Sequence, residues 1–334
     1  MSNSHLAPLE PLLPDQAGRE VTVPRSEQWD VCSRGSGRPY RIFVAVPVEE
    51  APPAGHPVIY VLDANSTFGT LVETVRAQSR AKAKTGVDPA VVVGIGYPTD
   101  APFDPARFYD FTLPVAADEL PPHPHGDTWP EMGGAEAFSR FIEEELKPAV
   151  ERKFNIDRSR QAIIGHSLGG LCVLQMLFTR PEAFRTYIAG SPSIHWNRPF
   201  IREAGERFLA RMQQEPADIQ VMIAVGEREQ GHPSRMTENA RELAERLARV
   251  SPSGLRTEFH EFAGEGHISL LPVLMSHAVR YALTSPIKPL IMDGRAGRVR
   301  RPDEGRPIRG RNEAPYAISG LGGLLLQEDR RFTQ

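Results

Sequence analysis

The run Ile163-Ile164-Gly165-His166-Ser167-Leu168-Gly169-Gly170 decides the fold of this chain. Two β-branched apolar residues enter a Gly-x-Ser-x-Gly turn. Leu171-Cys172-Val173-Leu174-Gln175-Met176-Leu177 leaves it with the pattern of a buried helix. A strand that passes straight into a helix around a serine is a nucleophile elbow. The turn is strained, and Gly165 and Gly169 lack the Cβ atoms that would clash there. The Ser167 hydroxyl is then held at the C-terminal edge of a parallel sheet. The N–H of Leu168, at the start of the helix, has no intrahelical acceptor and can stabilise an oxyanion.

A serine hydroxyl is a weak nucleophile at neutral pH and needs a base beside it. The best base is His267, in Phe262-Ala263-Gly264-Glu265-Gly266-His267, between the last apolar strand pattern and the final helical pattern. After an elbow of this kind the chain order is serine, acid, histidine. His166 is a poor base because its neighbour on the elbow points the other way, His260 lies in a strand pattern, and His277 lies on a helix. The acid should follow the strand at 219–225, which runs into Gly226-Glu227-Arg228-Glu229. A carboxylate there would hold the imidazole tautomer and stabilise the imidazolium. Glu229 is favoured, with Glu227 as the alternative. The second oxyanion donor belongs to the loop after the third strand, Leu62-Asp63-Ala64-Asn65-Ser66, as the backbone N–H of Asn65 or, failing that, Ala64. Asp63 reads as a structural residue of that turn.

Outward from the elbow the pattern alternates strand and helix. Strands are expected at 41–48, 58–62, 90–97, 161–165, 186–189, 219–225 and 257–262, mostly Val- and Ile-rich runs with little polar alternation. A further pair at 20–23 and 27–33 should add antiparallel strands at one edge. Helices at 135–154 and 235–250 carry one apolar stripe each. This order predicts a doubly wound, mostly parallel α/β sheet with helices on both faces, forming one domain over 19–285. Residues 1–18 read as a loose arm, and the Arg/Gly/Pro-rich stretch 286–334 as a loosely ordered tail. The proline-rich stretch 113–132 has neither period and should lie over the edge that carries Ser167, as a flap over the substrate.

The 334 residues, 40% of them hydrophobic, suffice for a large core, and the net charge of −3 gives no reason to expect nucleic acid or a membrane surface. No apolar run approaches the ~18 residues of a membrane span. The two cysteines, Cys32 and Cys172, form no disulfide framework, and the polar, proline-containing start is not a signal peptide. A cytoplasmic location is therefore expected. No cofactor is needed for acyl transfer, and His123 and His125 in the proline-rich loop make no persuasive metal site.

The chain resembles the esterase family that includes esterase D, the mycolyl transferases and the ferric-siderophore esterases, the last most of all. The resemblance rests on Tyr60-Val61-Leu62-Asp63-Ala64-Asn65, Val93-Gly94-Ile95-Gly96-Tyr97, Arg107-Phe108-Tyr109-Asp110-Phe111-Thr112 and Gly133-Gly134-Ala135-Glu136-Ala137-Phe138. It continues through the elbow, Ser191-Pro192-Ser193-Ile194-His195-Trp196 and Gly264-Glu265-Gly266-His267. It implies an α/β-hydrolase fold, Ser167 as nucleophile, His267 as base, and hydrolysis of the ester bonds of a ferric catecholate trilactone. Ala64 stands where relatives carry glycine, which bears on the oxyanion donor. His195-Trp196 replaces paired aromatics, which bears on the pocket. Arg107, Tyr109, His195 and Trp196 are candidate substrate contacts: an arginine could meet an anionic catecholate, and Trp196 could stack on a ring. The rival readings are a small-ester or thioester hydrolase of the S-formylglutathione type, an acyltransferase, and a catalytically silent binding module.

Overall fold

A computed structural model of the protein describes residues 20–115, 128–249 and 254–284. The expected arm and tail lie outside these residues, as do His123, His125 and the middle of the proline-rich stretch. Eight strands form one sheet in the order β1-β2-β4-β3-β5-β6-β7-β8. They are β1 (Ser26–Cys32), β2 (Pro39–Ala45), β3 (His56–Leu62), β4 (Val91–Gly96), β5 (Ile156–His166), β6 (Thr186–Gly190), β7 (Ile219–Gly226) and β8 (Leu255–Phe262). From β4 to β8 every neighbouring pair is parallel. β3, β4, β6 and β7 are buried along almost their whole length, and β5 is buried from Gln161 to His166, as both-face burial in a parallel sheet requires.

The helices are α1 (Ala64–Arg80), α2 (Lys82–Thr85), α3 (Arg107–Phe111), α4 (Ala135–Arg140), α5 (Lys147–Lys153), α6 (Leu168–Thr179), α7 (Arg198–Gln214), α8 (Met236–Ala248) and α9 (Leu270–Leu283). One face of the sheet packs against α4 to α8, around Phe138, Leu171, Phe208 and Leu247. The other packs against α1 and α9, around Leu71, Val72, Leu274 and Ala278. The doubly wound α/β sheet read from the sequence is the fold observed. α6 is buried from Leu168 to Phe178, which explains why its sequence is apolar all round rather than striped.

Two local expectations need correction, and one strand orientation is added. Residues 20–23 form no strand: Val21 is 95% exposed, with nothing to pack on, and the inner edge of β1 is taken by β2. β2 itself runs antiparallel to both neighbours, and the short connection 33–38 makes its pairing with β1 a hairpin. The helix expected at 135–154 is broken by a π-helical turn, Phe141–Leu146, between α4 and α5. Pro148, at the start of α5, has no N–H to return to the preceding turn, and the widened turn lies immediately before it.

The short helix α3 is pinned by a buried carboxylate. Asp110, 1% exposed, accepts hydrogen bonds from Tyr40 (3.1 Å) and Tyr97 (3.0 Å) and pairs with Arg38 at 3.3 Å. Burial pushes its carboxyl up to about 6, against the pull of Tyr97, Arg38 and Tyr40. The folded protein therefore holds this proton more tightly than the unfolded chain does. Its contribution to stability falls as pH rises from the ordinary carboxylate range through pH 6. Relative to Asp110→Asn, the wild type is expected to lose about 2–3 kcal/mol between pH 4 and pH 7. Urea unfolding of both proteins at the two pH values measures it, and parallel pH profiles would refute it.

Candidate active site

Parallel strands deliver their C-terminal ends to one edge of the sheet, and the pairing of His166 with Gly190, Gly190 with Ala224 and Gly226 with Phe262 keeps those ends level. Ligand sites of open α/β sheets lie at that edge. Here it collects Asp63 to Asn65 after β3, Ser167 after β5, Ser191 to Ser193 after β6, Glu227 to Glu229 after β7 and His267 after β8.

Ser167 has φ +59° and ψ −119°, the strained backbone of an elbow. A Cβ on Gly165 would lie 2.2 Å from the Gly169 carbonyl oxygen, so only glycine lets the turn close. The Ser167 hydroxyl lies 3.0 Å from His267 Nε2, and His267 Nδ1 lies 2.9 Å from Glu229 Oε2. Glu229 is 5% exposed and its Oε1 also accepts from the Ser191 hydroxyl and, at 2.8 Å, from the Gly226 N–H. Burial pushes the Glu229 carboxyl up, but donors from His267, Ser191 and Gly226 outweigh it and hold the group below its ordinary range. With a carboxylate at Nδ1, that nitrogen carries the proton and Nε2 is left to accept from Ser167.

The two glutamates left open by the sequence occupy different places. Glu227 faces outward and accepts from the Gly264 N–H at 2.6 Å, tying down the loop that carries His267. His166, 5% exposed, has its ring centre 4.7 Å from that of His267. Burial first, then the His267 charge, pushes His166 down to about 3, so it stays neutral at working pH.

Leu168 is the first residue of α6 and Asn65 the second of α1, so neither N–H enters an intrahelical ladder. The Asn65 side chain is fully used: Oδ1 accepts from Tyr97 N–H at 2.9 Å, and Nδ2 donates to the Tyr97 and Thr99 carbonyls at 2.9 and 2.7 Å. That clamp fixes the first turn of α1 and leaves the Asn65 backbone N–H for a ligand. Ala64 takes a helical position with its methyl group buried, and the left-handed backbone falls instead on Asp63, at φ +52°.

Arg107 and Tyr109, expected at the substrate, both have protein partners. The Arg107 guanidinium grips Asp63 through two hydrogen bonds of 2.8 and 2.9 Å, and the two side chains are 11% and 3% exposed. Tyr109 lies with Arg38 over its ring at 4.1 Å and packs against Gly134. A pairing partner 44 residues away leaves no mark in the local sequence. His195 and Trp196 lie on a 3-10 turn, Ile194–Asn197, directly after Ser193. Burial, then the charges of His232 and His267, pushes His195 down to about 4. Trp196 packs edge-on against Trp129, ring centres 4.6 Å apart, so the end of the proline-rich stretch returns to this wall. The sequence assigns no role to Ser191 and Ser193: it shows the Ser-Pro-Ser motif, but not where its hydroxyls point.

Residues 33–270 match the family described as "Putative esterase". The chain is 58% identical over 262 residues to the ferri-bacillibactin esterase of Bacillus subtilis, covering 78% of this chain and 91% of that one. It is 37% identical over 234 residues to a siderophore enterobactin esterase of Emericella nidulans, covering 67% and 76%. Its fold superposes on the crystal structure of the BES protein from Bacillus cereus with a TM-score of 0.75 at 40% identity, over 80% of this chain and 99% of that one. With such a relative matched almost end to end, and a serine elbow on an α/β-hydrolase sheet, this chain belongs to the esterase family and is a serine hydrolase of carboxylic esters.

Proposed function

We infer that this esterase opens the ester bonds of a ferric catecholate trilactone, with Ser167 as nucleophile, His267 as base and Glu229 as the acid behind it. The observation that carries the chemistry is the unbroken hydrogen-bonded line from Glu229 through His267 to the Ser167 hydroxyl. The substrate class is supported by the names of the two siderophore esterases it resembles. Ser167 attacks the ester carbonyl as Nε2 takes its proton, and the N–H groups of Leu168 and Asn65 hold the tetrahedral oxyanion. Nε2 returns the proton to the leaving alkoxide. Water, deprotonated by Nε2 in turn, then releases the acid and restores the serine. Iron is the substrate's cargo and takes no part in these steps. His195 and Trp196, following Ser193, border the substrate on this reading.

A cytoplasmic location is part of the same proposal. It is supported by free Cys32 and a buried, free Cys172, which suit a reducing compartment.

Ferric enterobactin, p-nitrophenyl butyrate and S-formylglutathione, each with wild type and Ser167→Ala, test the reading. The trilactone is expected to exceed both small substrates in kcat/KM by about tenfold or more, because remote contacts of a large substrate lower its barrier. Activity confined to the small substrates would move the function to a general ester or thioester hydrolase.

A further inference from the structure

Ser191-Pro192-Ser193 is part of the family resemblance but has no part in the mechanism above. The segment leaves β6, next to the strand that delivers Ser167, and its two hydroxyls reach opposite ends of the triad. The Ser191 hydroxyl donates to Glu229 Oε1. The Ser193 Oγ lies 3.3 Å from the Ser167 Oγ, and the Ser193 N–H donates to the Ser167 carbonyl at 3.1 Å. Ser193 therefore holds the nucleophile at two atoms.

The backbone that presents these hydroxyls is tightly held. Ser191 has φ +37°, is fully buried and donates its N–H to the Ala224 carbonyl at 2.6 Å. A serine with positive φ ahead of a proline persists only where its surroundings impose it. The first turn of α6 packs bare backbone against the segment: a Cβ on Gly170 would lie 2.8 Å from the Gly190 carbonyl oxygen and 3.1 Å from Pro192 Cα.

Proton accounting sets the direction of the hydroxyl contact. The Ser167 proton is committed to Nε2, 3.0 Å away, so the Ser167 Oγ can only accept from Ser193. We propose that Ser193 is a further catalytic residue, donating a hydrogen bond to the Ser167 Oγ as charge builds on it, and that Ser191 is a positioning residue that steadies Glu229 from behind. This rests on the reading of Ser167 as nucleophile.

In acylation the Oγ–H bond breaks, the proton goes to Nε2, and the freed electron pair forms the bond to the carbonyl carbon. In deacylation the attacking water gives a proton to Nε2, the carbon–Oγ bond breaks, and its electron pair returns to Oγ, which takes the proton back. Oγ carries partial negative charge in both transition states and little in the resting enzyme. A donor aimed at it is stronger in the transition state than in the ground state, which is the condition for raising kcat.

The test uses the full chain with p-nitrophenyl butyrate, active sites being counted by complete fluorophosphonate labelling and rates expressed per labelled site. Ser193→Ala is expected to lose about 10- to 100-fold in kcat, with KM changing by less than about threefold. Its second-order rate of phosphonylation should fall with kcat, because that reaction needs the same oxygen. Ser191→Ala is expected to lose about tenfold, and that loss should vanish in a Glu229→Ala background. A purely structural role would lower the number of labelled sites and leave the rate per site unchanged. A Ser193→Ala rate per site within twofold of wild type, or a kcat loss without a matching phosphonylation loss, overturns the assignment of Ser193. A Ser191→Ala loss that persists without Glu229 overturns that of Ser191. Wild-type protein that neither turns over ester nor labels at Ser167 would instead remove the parent reading.

Discussion

Replacing His267 with alanine is expected to cut kcat/KM for p-nitrophenyl butyrate by about 10⁴- to 10⁶-fold, the scale of losing a base that works as one unit with its nucleophile. The geometry behind this expectation is specific. Nε2 lies 3.0 Å from the Ser167 hydroxyl; His166, whose ring lies beside it, sits on the elbow itself and is pushed down to about 3, chiefly by burial, and His195 is pushed down to about 4, again chiefly by burial. Neither of these weakly basic imidazoles is suited to replace His267 as base. The double variant Ser167→Ala/His267→Ala should be no worse than either single one, since removing either already disables the pair. Glu229→Gln is expected to cost less, about 10²- to 10⁴-fold, because an amide can still contact the imidazole but does not impose the tautomer or stabilise the imidazolium. Glu227→Gln should act only through the Gly264 N–H that it holds and stay within about tenfold of wild type. His267→Ala activity within tenfold of wild type, or Glu227→Gln falling below Glu229→Gln, would dismantle the assignment.

The parts of this site that could be read in the sequence are those fixed by chain neighbours. Ser167 sits between a strand and a helix that touch it covalently, so the elbow is written in eight consecutive residues. His267 follows the last strand by five residues, and the fold's chain order leaves it few competitors. The choice between Glu227 and Glu229 was harder because it depends on how a three-residue 3-10 turn rotates. Glu229 caps its own Gly226 N–H and turns inward, leaving Glu227 to face the His267 loop from outside. Arg107 shows the limit most clearly. An arginine in an aromatic segment that also carries Asp104 and Asp110 reads equally well as an anion receptor or as a buried ion-pair member. Only the arrival of Asp63 from the end of β3 decides between them. The hydroxyls of Ser191 and Ser193 are of the same kind, since a backbone at φ +37° rather than a residue type aims them.

The Asp63–Arg107 pair also sets the largest stability effect expected of a single substitution here. Arg107→Met keeps most of the volume of the side chain and removes the charge, leaving a 3%-exposed Asp63 carboxylate without its partner. Breaking a buried ion pair from one side costs about 3–5 kcal/mol. The Asp63 carboxylate also borders Gly169 in the first turn of α6, where a Cβ would lie 3.3 Å from Oδ2. The N-terminal end of that helix favours a negative charge there and offsets part of the loss, so a value near the lower limit, about 3 kcal/mol, is expected. Adding Asp63→Asn removes the stranded charge, and the double variant should recover roughly half of the lost stability. Urea unfolding of wild type, the single variant and the double variant measures all three terms. The pair joins α3 to the turn between β3 and α1, which also presents the Asn65 N–H, so the single variant should lose kcat more than KM even under conditions where it is fully folded. A single variant as stable as wild type would mean that water or a shifted backbone solvates Asp63 at little cost. A stable variant with unchanged kcat would separate the ion pair from the oxyanion turn altogether.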